Sequence, residues 1–198
     1  GDADGGEPDN VEMGGENIVL NHIALSWSID ENLTILPSRN ITLYKCMIAE
    51  ALQYAGHQDG EHSKGILIYG SNNELSMVGN LFVHNALRNP MIGNGTTIYT
   101  NNVVYNWAPG WDHVGPVPKP GEILPDFFDF VVHIRSTDLS FVGNVAIQGP
   151  ESRCDVFVSQ HHHGSGGRVY IDDNIIIDRE GNGLKMLDNK VTQLDNPP

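Results

Sequence analysis

Residues 62–107 read HSKGILIYGSNNELSMVGNLFVHNALRNPMIGNGTTIYTNNVVYNW. Inside this stretch LSMVGNLFV and TIYTNNVVY share one pattern, an alternating segment, two residues, an asparagine and a second alternating segment, with the asparagines at Asn80 and Asn102. The two slots lie 22 residues apart. Alternation this short, punctuated by Asn and Gly, suits strands of about five residues rather than helices. A self-similar period of roughly 20 to 30 residues is the mark of a solenoid. Each repeat is therefore expected to be one coil of a parallel β-helix.

Other stretches fit the same template. LSFVGNVAI puts Asn144 in the slot, VYIDDNIII puts Asn174 there, ITLYKCMI puts Cys46 there and IVLNHIAL puts Ile23 there. Four asparagines at one phase predict an internal ladder, because an amide both donates and accepts and can satisfy turn backbone that would otherwise be buried unpaired.

The 198 residues suffice for one domain with a long, narrow core, and the whole chain, 1–198, is read as a single all-β solenoid. A formal charge of −14 argues against binding a nucleic-acid backbone, which needs a basic stripe. It would also repel an acidic polysaccharide unless a divalent cation intervened. No apolar run is long enough to span a bilayer as a helix. Cys46 and Cys154 are expected to be free thiols, with Cys46 in the core. The sequons at Asn32, Asn40 and Asn94 are triplets that polar turns also produce by chance.

From the N-terminus, GDADGGEPDN collects Asp2, Asp4, Glu7 and Asp9, hard oxygen donors of the kind Ca²⁺ favours. NVEM, ENLTI, KGILI, PMIG, FDFVVH and CDVFVS read as the first strands of successive coils. Long connections run over Ala51–Ser63 and over the proline-rich Ala108–Phe127, leaving the solenoid on one side, where binding faces are often built. The tail LKMLDNKVTQLDNPP departs from the pattern. No cap precedes Asp9, so further coils are expected upstream and the β-helix is read as truncated at its N-terminus.

The residues that open the first strands carry the chemistry. They are Glu7 and Asp9, then Asp30 and Glu31, then Lys64, then Arg88. With coils about 4.8 Å apart, these would line one groove of roughly 15 Å, acids at one end and bases at the other.

HSKGILI, NLFVHNALRNP, NNVVYNW and the SWSIDE run together resemble the central part of the family 1 polysaccharide lyases, the pectate lyases, in the microbial branch that carries SWSxDE and HSKG motifs. The similarity extends from about Glu7 to Gly149-Pro150. The resemblance implies a right-handed parallel β-helix and secretion to the extracellular space or periplasm. It also implies Ca²⁺-assisted β-elimination of polygalacturonate, with no membrane or nucleic-acid partner and a monomeric chain. By position, Arg88 matches the arginine that acts as base. Lys64 matches a substrate-binding lysine, with His62 beside it, and Glu7, Asp9 and Asp30 match the metal-binding acids. Elimination removes a proton beside a carboxylate and loads a second negative charge onto that group, which explains the need for cations. Arg88 would have to be transiently neutral; the alternative is a bidentate clamp on substrate carboxylate.

Two departures stand out. A second arginine that many relatives carry shortly after R-x-P is absent, with Met91 and Gly93 at the corresponding positions, and a common Asp-His pair reads Asn21-His22. A non-catalytic, polysaccharide-binding β-helix is the alternative. His57, His62 and His84 lie near Lys64 and Arg88 in sequence, where His62 or His84 could order the site and core or turn packing is the alternative; Trp107 and Trp111 are candidate sugar platforms, and Trp27 is read as packing behind Asp30. Gln160–Gly164, QHHHG, reads as a solvated turn that could bind a transition metal. Asp172-Asp173 is a poor glycosidase pair, since adjacent strand residues face opposite ways.

Overall fold

The structure is a computed structural model and describes residues 7–57, 62–107, 130–152, 156–160 and 166–198. Its strands are β1 (Glu12–Asn21), β2 (Ala24–Ser26), β3 (Glu31–Tyr44), β4 (Met47–Ala49), β5 (Lys64–Val78), β6 (Leu81–Val83), β7 (Met91–Thr100) and β8 (Val103–Tyr105). They continue with β9 (Phe130–Ile134), β10 (Thr137–Val142), β11 (Val145–Ile147), β12 (Val156–Gln160), β13 (Arg168–Asp172), β14 (Ile175–Ile177), β15 (Lys185–Leu187) and β16 (Thr192–Leu194). Every strand pairs in parallel with its equivalent one coil away. This is a parallel β-helix.

Three faces enclose the core. β1, β3, β5 and β7 each bend through a corner and serve two faces, which later coils build from separate strands such as β9 and β10. The short strands β2, β4, β6, β8, β11 and β14 form the third. Stacking in register turns the period-two alternation of each strand into columns of like residues. Ile35, Ile68, Ile92 and Ile134 form one column, and Leu43, Met77, Tyr99, Phe141 and Ile171 a second. Leu25, Ile48, Phe82, Val104, Ala146 and Ile176 form the third. Interior members of these columns are fully buried, and each Val, Leu, Ile, Met or Phe among them contributes about 1.5 to 3 kcal/mol by leaving water.

The expected ladder runs along one corner. The Nδ2 of Asn80 donates to Oδ1 of Asn102 at 3.0 Å, Asn102 to Asn144 at 3.2 Å and Asn144 to Asn174 at 2.9 Å. Each amide also donates to a carbonyl of the turn, from Asn80 to Leu43, from Asn102 to Met77 and from Asn144 to Tyr99. Cys46, a buried free thiol, ends the ladder by donating its backbone N–H to Asn80. Cys154 lies outside the described residues.

Several expectations need correction. The tail does not leave the pattern, because β15 and β16 pair in parallel with β12 and β13 and add another coil. Trp107 is no sugar platform. It is 1 % exposed and packs edge-on against Phe157 in the core. Trp27 does not pack behind Asp30; it is 66 % exposed, and its indole N–H donates to Glu50 at 2.9 Å. Asn32 is fully buried and cannot carry a glycan. Trp111, the His161–His163 tract and the whole of the 108–127 connection lie outside the described residues.

Candidate active site

At the start of the first face, backbone pairing fixes the order of the coils. Asn10 N–H donates to the Glu31 carbonyl, Glu31 stands in register with Lys64, and Gly65 and Ile66 donate to the carbonyls of Leu87 and Arg88. The chain at Gly65 passes so close to the next coil that a Cβ would stand 2.5 Å from the Arg88 carbonyl oxygen. This close approach explains the glycine of HSKG. Arg88 itself holds a left-handed φ of 58°. Asn89 anchors the turn: its Nδ2 donates to the Asn85 carbonyl, and its carbonyl accepts from the buried Tyr99 hydroxyl.

An open pocket of about 250 Å³ lies here, lined among others by Glu7, Asp30, His57, His62, Lys64 and Arg88. The acids divide into two groups that share Asp30. Carboxylate oxygens of Asp9, Asp30 and Glu31 lie within 4.8 Å of one another, and Oδ1 of Asp9 accepts the Glu31 N–H at 2.9 Å. Glu7 stands in the other group. Its carboxylate meets Nε2 of His57 at 3.3 Å, and His57 lies 3.7 Å from Asp30. Nε2 of His62 is 2.6 Å from Asp30, and the Lys64 ammonium is 2.5 Å from the same nitrogen. The rings of His57 and His62 stack at 3.4 Å. Arg88 pairs with Glu31.

Burial raises the Asp9 carboxyl above its usual range, and the charge of Asp30 adds to this against a hydrogen bond from Thr34. Burial pushes Asp30 the same way. It is outweighed by the hydrogen bond to His62 and the positive potential of His62, Lys64 and His57, so Asp30 sits below the usual range. Burial lowers the Arg88 guanidinium to about 10; the charges of Asp30 and Asp9 resist this, and Arg135 reinforces it. Burial thus favours the neutral form of Arg88, while its ion pair with Glu31 favours the charged one.

Three contributors escaped the sequence reading. His57 enters from the 51–63 connection, and only its place in a long loop hinted at a role. Asn10, Asn32, Asn85 and Asn89 form a second amide ladder beneath the pocket, with links of 2.9, 3.2 and 3.1 Å. Their uneven spacing hid it. Arg135 follows Ile134, which pairs with Ile92, so it occupies the register position of Gly93 one coil along. No side chain fits at Gly93, where a Cβ would stand 2.3 Å from the Gly70 carbonyl oxygen. His84 stands apart, in contact with Asn106 and the edge of Tyr105.

No family model matches the chain. It is similar to proteins named probable pectate lyase C from Aspergillus terreus, 29 % identical over 170 residues covering 84 % of this chain and 34 % of that protein. The protein of the same name from Emericella nidulans is 31 % identical over 163 residues, covering 81 % and 31 %. A probable pectin lyase A from Aspergillus fumigatus is 31 % identical over 107 residues, covering 48 % and 28 %. The chain spans about a third of the length of the pectate lyase C relatives. Coils stacked in register, a trough of acids facing Lys64 and Arg88, and this similarity along most of its length agree: the chain stands in a family relationship with the pectate lyases.

Proposed function

We propose that this chain carries the reactive trough of a secreted, monomeric polysaccharide lyase that cleaves polygalacturonate by Ca²⁺-assisted β-elimination, with Arg88 as base. The observation that carries the reading is Arg88, largely buried and lowered to about 10, beside Lys64 and across from the acids of the preceding coils.

The site suits a hard cation, since Asp9, Asp30 and Glu31 offer oxygens alone and the Asp9–Asp30 repulsion would be relieved by positive charge. Asp9 and Asp30 would hold Ca²⁺, with Glu7 at the edge, and the ion would neutralise the uronate carboxylate on which charge accumulates. Lys64 binds a second carboxylate oxygen of the polymer, and His62 sets the direction of the lysine ammonium. Arg88, in its neutral form, takes the C5 proton. The electrons of that C–H bond form the C4–C5 double bond, the C4–O bond breaks, and the departing oxygen takes a proton from water. Arg135, at the register position of the missing second arginine, supplies the cation that repels the proton from Arg88 and faces the anionic chain.

The test is a mixture of protein, polygalacturonate and Ca²⁺ followed by the ultraviolet absorbance of the unsaturated product. Absorbance growth that a chelator stops supports the reading; its absence at every pH from neutral to alkaline defeats it. The lack of any side chain at Gly93 and the similarity to a protein named pectin lyase favour a second reading, a methyl-esterified uronan as substrate. Faster cleavage of esterified pectin, insensitive to chelator, would select it.

A further inference from the structure

The imidazole of His57 has no task that the elimination requires, and that of His62 does no more there than aim the Lys64 ammonium. Both are buried, at 7 and 2 % exposure, and each presents Nε2 to the Asp30 carboxylate. The contacts on His62 are in conflict. Its Nε2 faces a carboxylate acceptor at 2.6 Å, which asks for an N–H, and a lysine ammonium at 2.5 Å, which asks for a lone pair. One ring nitrogen offers only one of these. A cation that binds directly to both the nitrogen lone pair and the Asp30 oxygen removes the conflict, and the Lys64 ammonium now stands against that nitrogen.

We propose that Asp30, His57 and His62, with Glu7 at the rim, form a binding site for a first-row transition-metal ion such as Zn²⁺ or Co²⁺, which competes with the Lys64 ammonium. One donor atom from each of Asp30, His57 and His62 lies within 4.8 Å of the other two. Nε2 of His62 lies 2.6 Å from Oδ1 of Asp30, and Nε2 of His57 lies 3.7 Å from Oδ2 and 3.3 Å from Glu7, so turning the Asp30 carboxylate and tilting the stacked rings would bring these donors to about 2.1 Å from one ion. Two imidazoles and carboxylates form a mixed nitrogen and oxygen donor set, which borderline ions prefer and Ca²⁺ does not. The two imidazoles are nearly completely buried, while the carboxylates face the open pocket through which an ion would enter. Because Asp30 belongs to both acid groups, such an ion and Ca²⁺ exclude one another, so micromolar Zn²⁺ would oppose Ca²⁺ at the trough.

Metal binding tests this without reference to catalysis, so its failure is separable from failure of the lyase reading. The starting protein carries alanine at His161, His162 and His163, so that this tract cannot capture the metal. Titration with Co²⁺ should give one bound ion and strong visible ligand-field bands. His57→Gln and His62→Gln should each weaken binding by a factor of about 10 to 100 or more, while His84→Gln leaves it unchanged. Lys64→Ala should tighten it, because the competing ammonium is gone. Absence of Co²⁺ binding by the starting protein overturns the proposal, as does affinity unchanged in both histidine variants. If those variants lose cooperative unfolding, Lys64→Ala decides: tighter binding sustains the site, and equal or weaker binding overturns it.

Discussion

Two corners of this solenoid stack polar side chains along its axis, and they do it with opposite chemistry. Asn80, Asn102, Asn144 and Asn174 repeat a single neutral amide whose oxygen accepts from one neighbour while its nitrogen donates to the next. Such a ladder extends without accumulating charge. At the pocket, Asp9 on one coil and Asp30 and Glu31 on the next can only accept, so stacking them brings like charges together, and burial together with the charge of Asp30 raises Asp9. Lys64, Arg88 and the imidazoles hold that end together. A self-complementary group makes scaffold; a stack that is not self-complementary demands a counter-ion, and that demand makes it reactive.

Substituting Arg88 is the largest test of the difference. Arg88→Ala should lower kcat by about 10³-fold, roughly 4 kcal/mol of barrier, in the unsaturated-product assay. Because Arg88 is also the partner of the buried Glu31 carboxylate, the variant should lose some stability, and the rates are compared where both proteins are folded. A loss of activity matched by an equal loss of stability would place Arg88 with the scaffold instead.

Breaking the neutral ladder in its middle should have the reverse profile. Asn102 is fully buried, accepts from the backbone and side chain of Asn80, and donates to Met77 and Asn144. Asn102→Ala leaves several of these groups unpaired and should cost about 3 kcal/mol, read from denaturant unfolding.

The pH profile sharpens the contrast from the ionic side. Arg88 titrates at about 10, so its neutral fraction, and with it the rate of proton abstraction, should rise about tenfold per pH unit up to that value. The four asparagine amides of the neutral corner have nothing to titrate there. A rate that is flat between pH 7 and 9 would exclude Arg88 as base.

Smaller effects belong to the ends and the surface. Asn174→Ala removes the partly exposed last rung, where water replaces lost partners, and should cost about 1 kcal/mol. Arg168→Ala, which deletes an exposed pair with Asp138, should leave the unfolding midpoint unchanged within error.

The two corners also differed in how far they could be read in advance. The scaffold ladder was visible because its asparagines keep one phase against flanking apolar residues, as Asn80 and Asn102 do within LSMVGNLFV and TIYTNNVVY. The second ladder was not. Asn10, Asn32, Asn85 and Asn89 include two residues of the same coil only four positions apart. The cation at the register of a second arginine, Arg135, comes from the following coil and so lies far from Arg88 in sequence. His57 sits in a loop, where a residue carries no periodic signal.

Local alternation along the chain was enough to specify coils, faces and the buried columns, because each strand's in-and-out pattern is a property of neighbouring residues repeated once per turn. Only the folded chain could decide that His57 stacks on His62, that Glu7 meets His57 while Asp30 serves two groups, and that Arg135 stands beside Gly93. Those contacts join residues separated by connections of unequal length, and where such a connection returns to the surface depends on packing between coils.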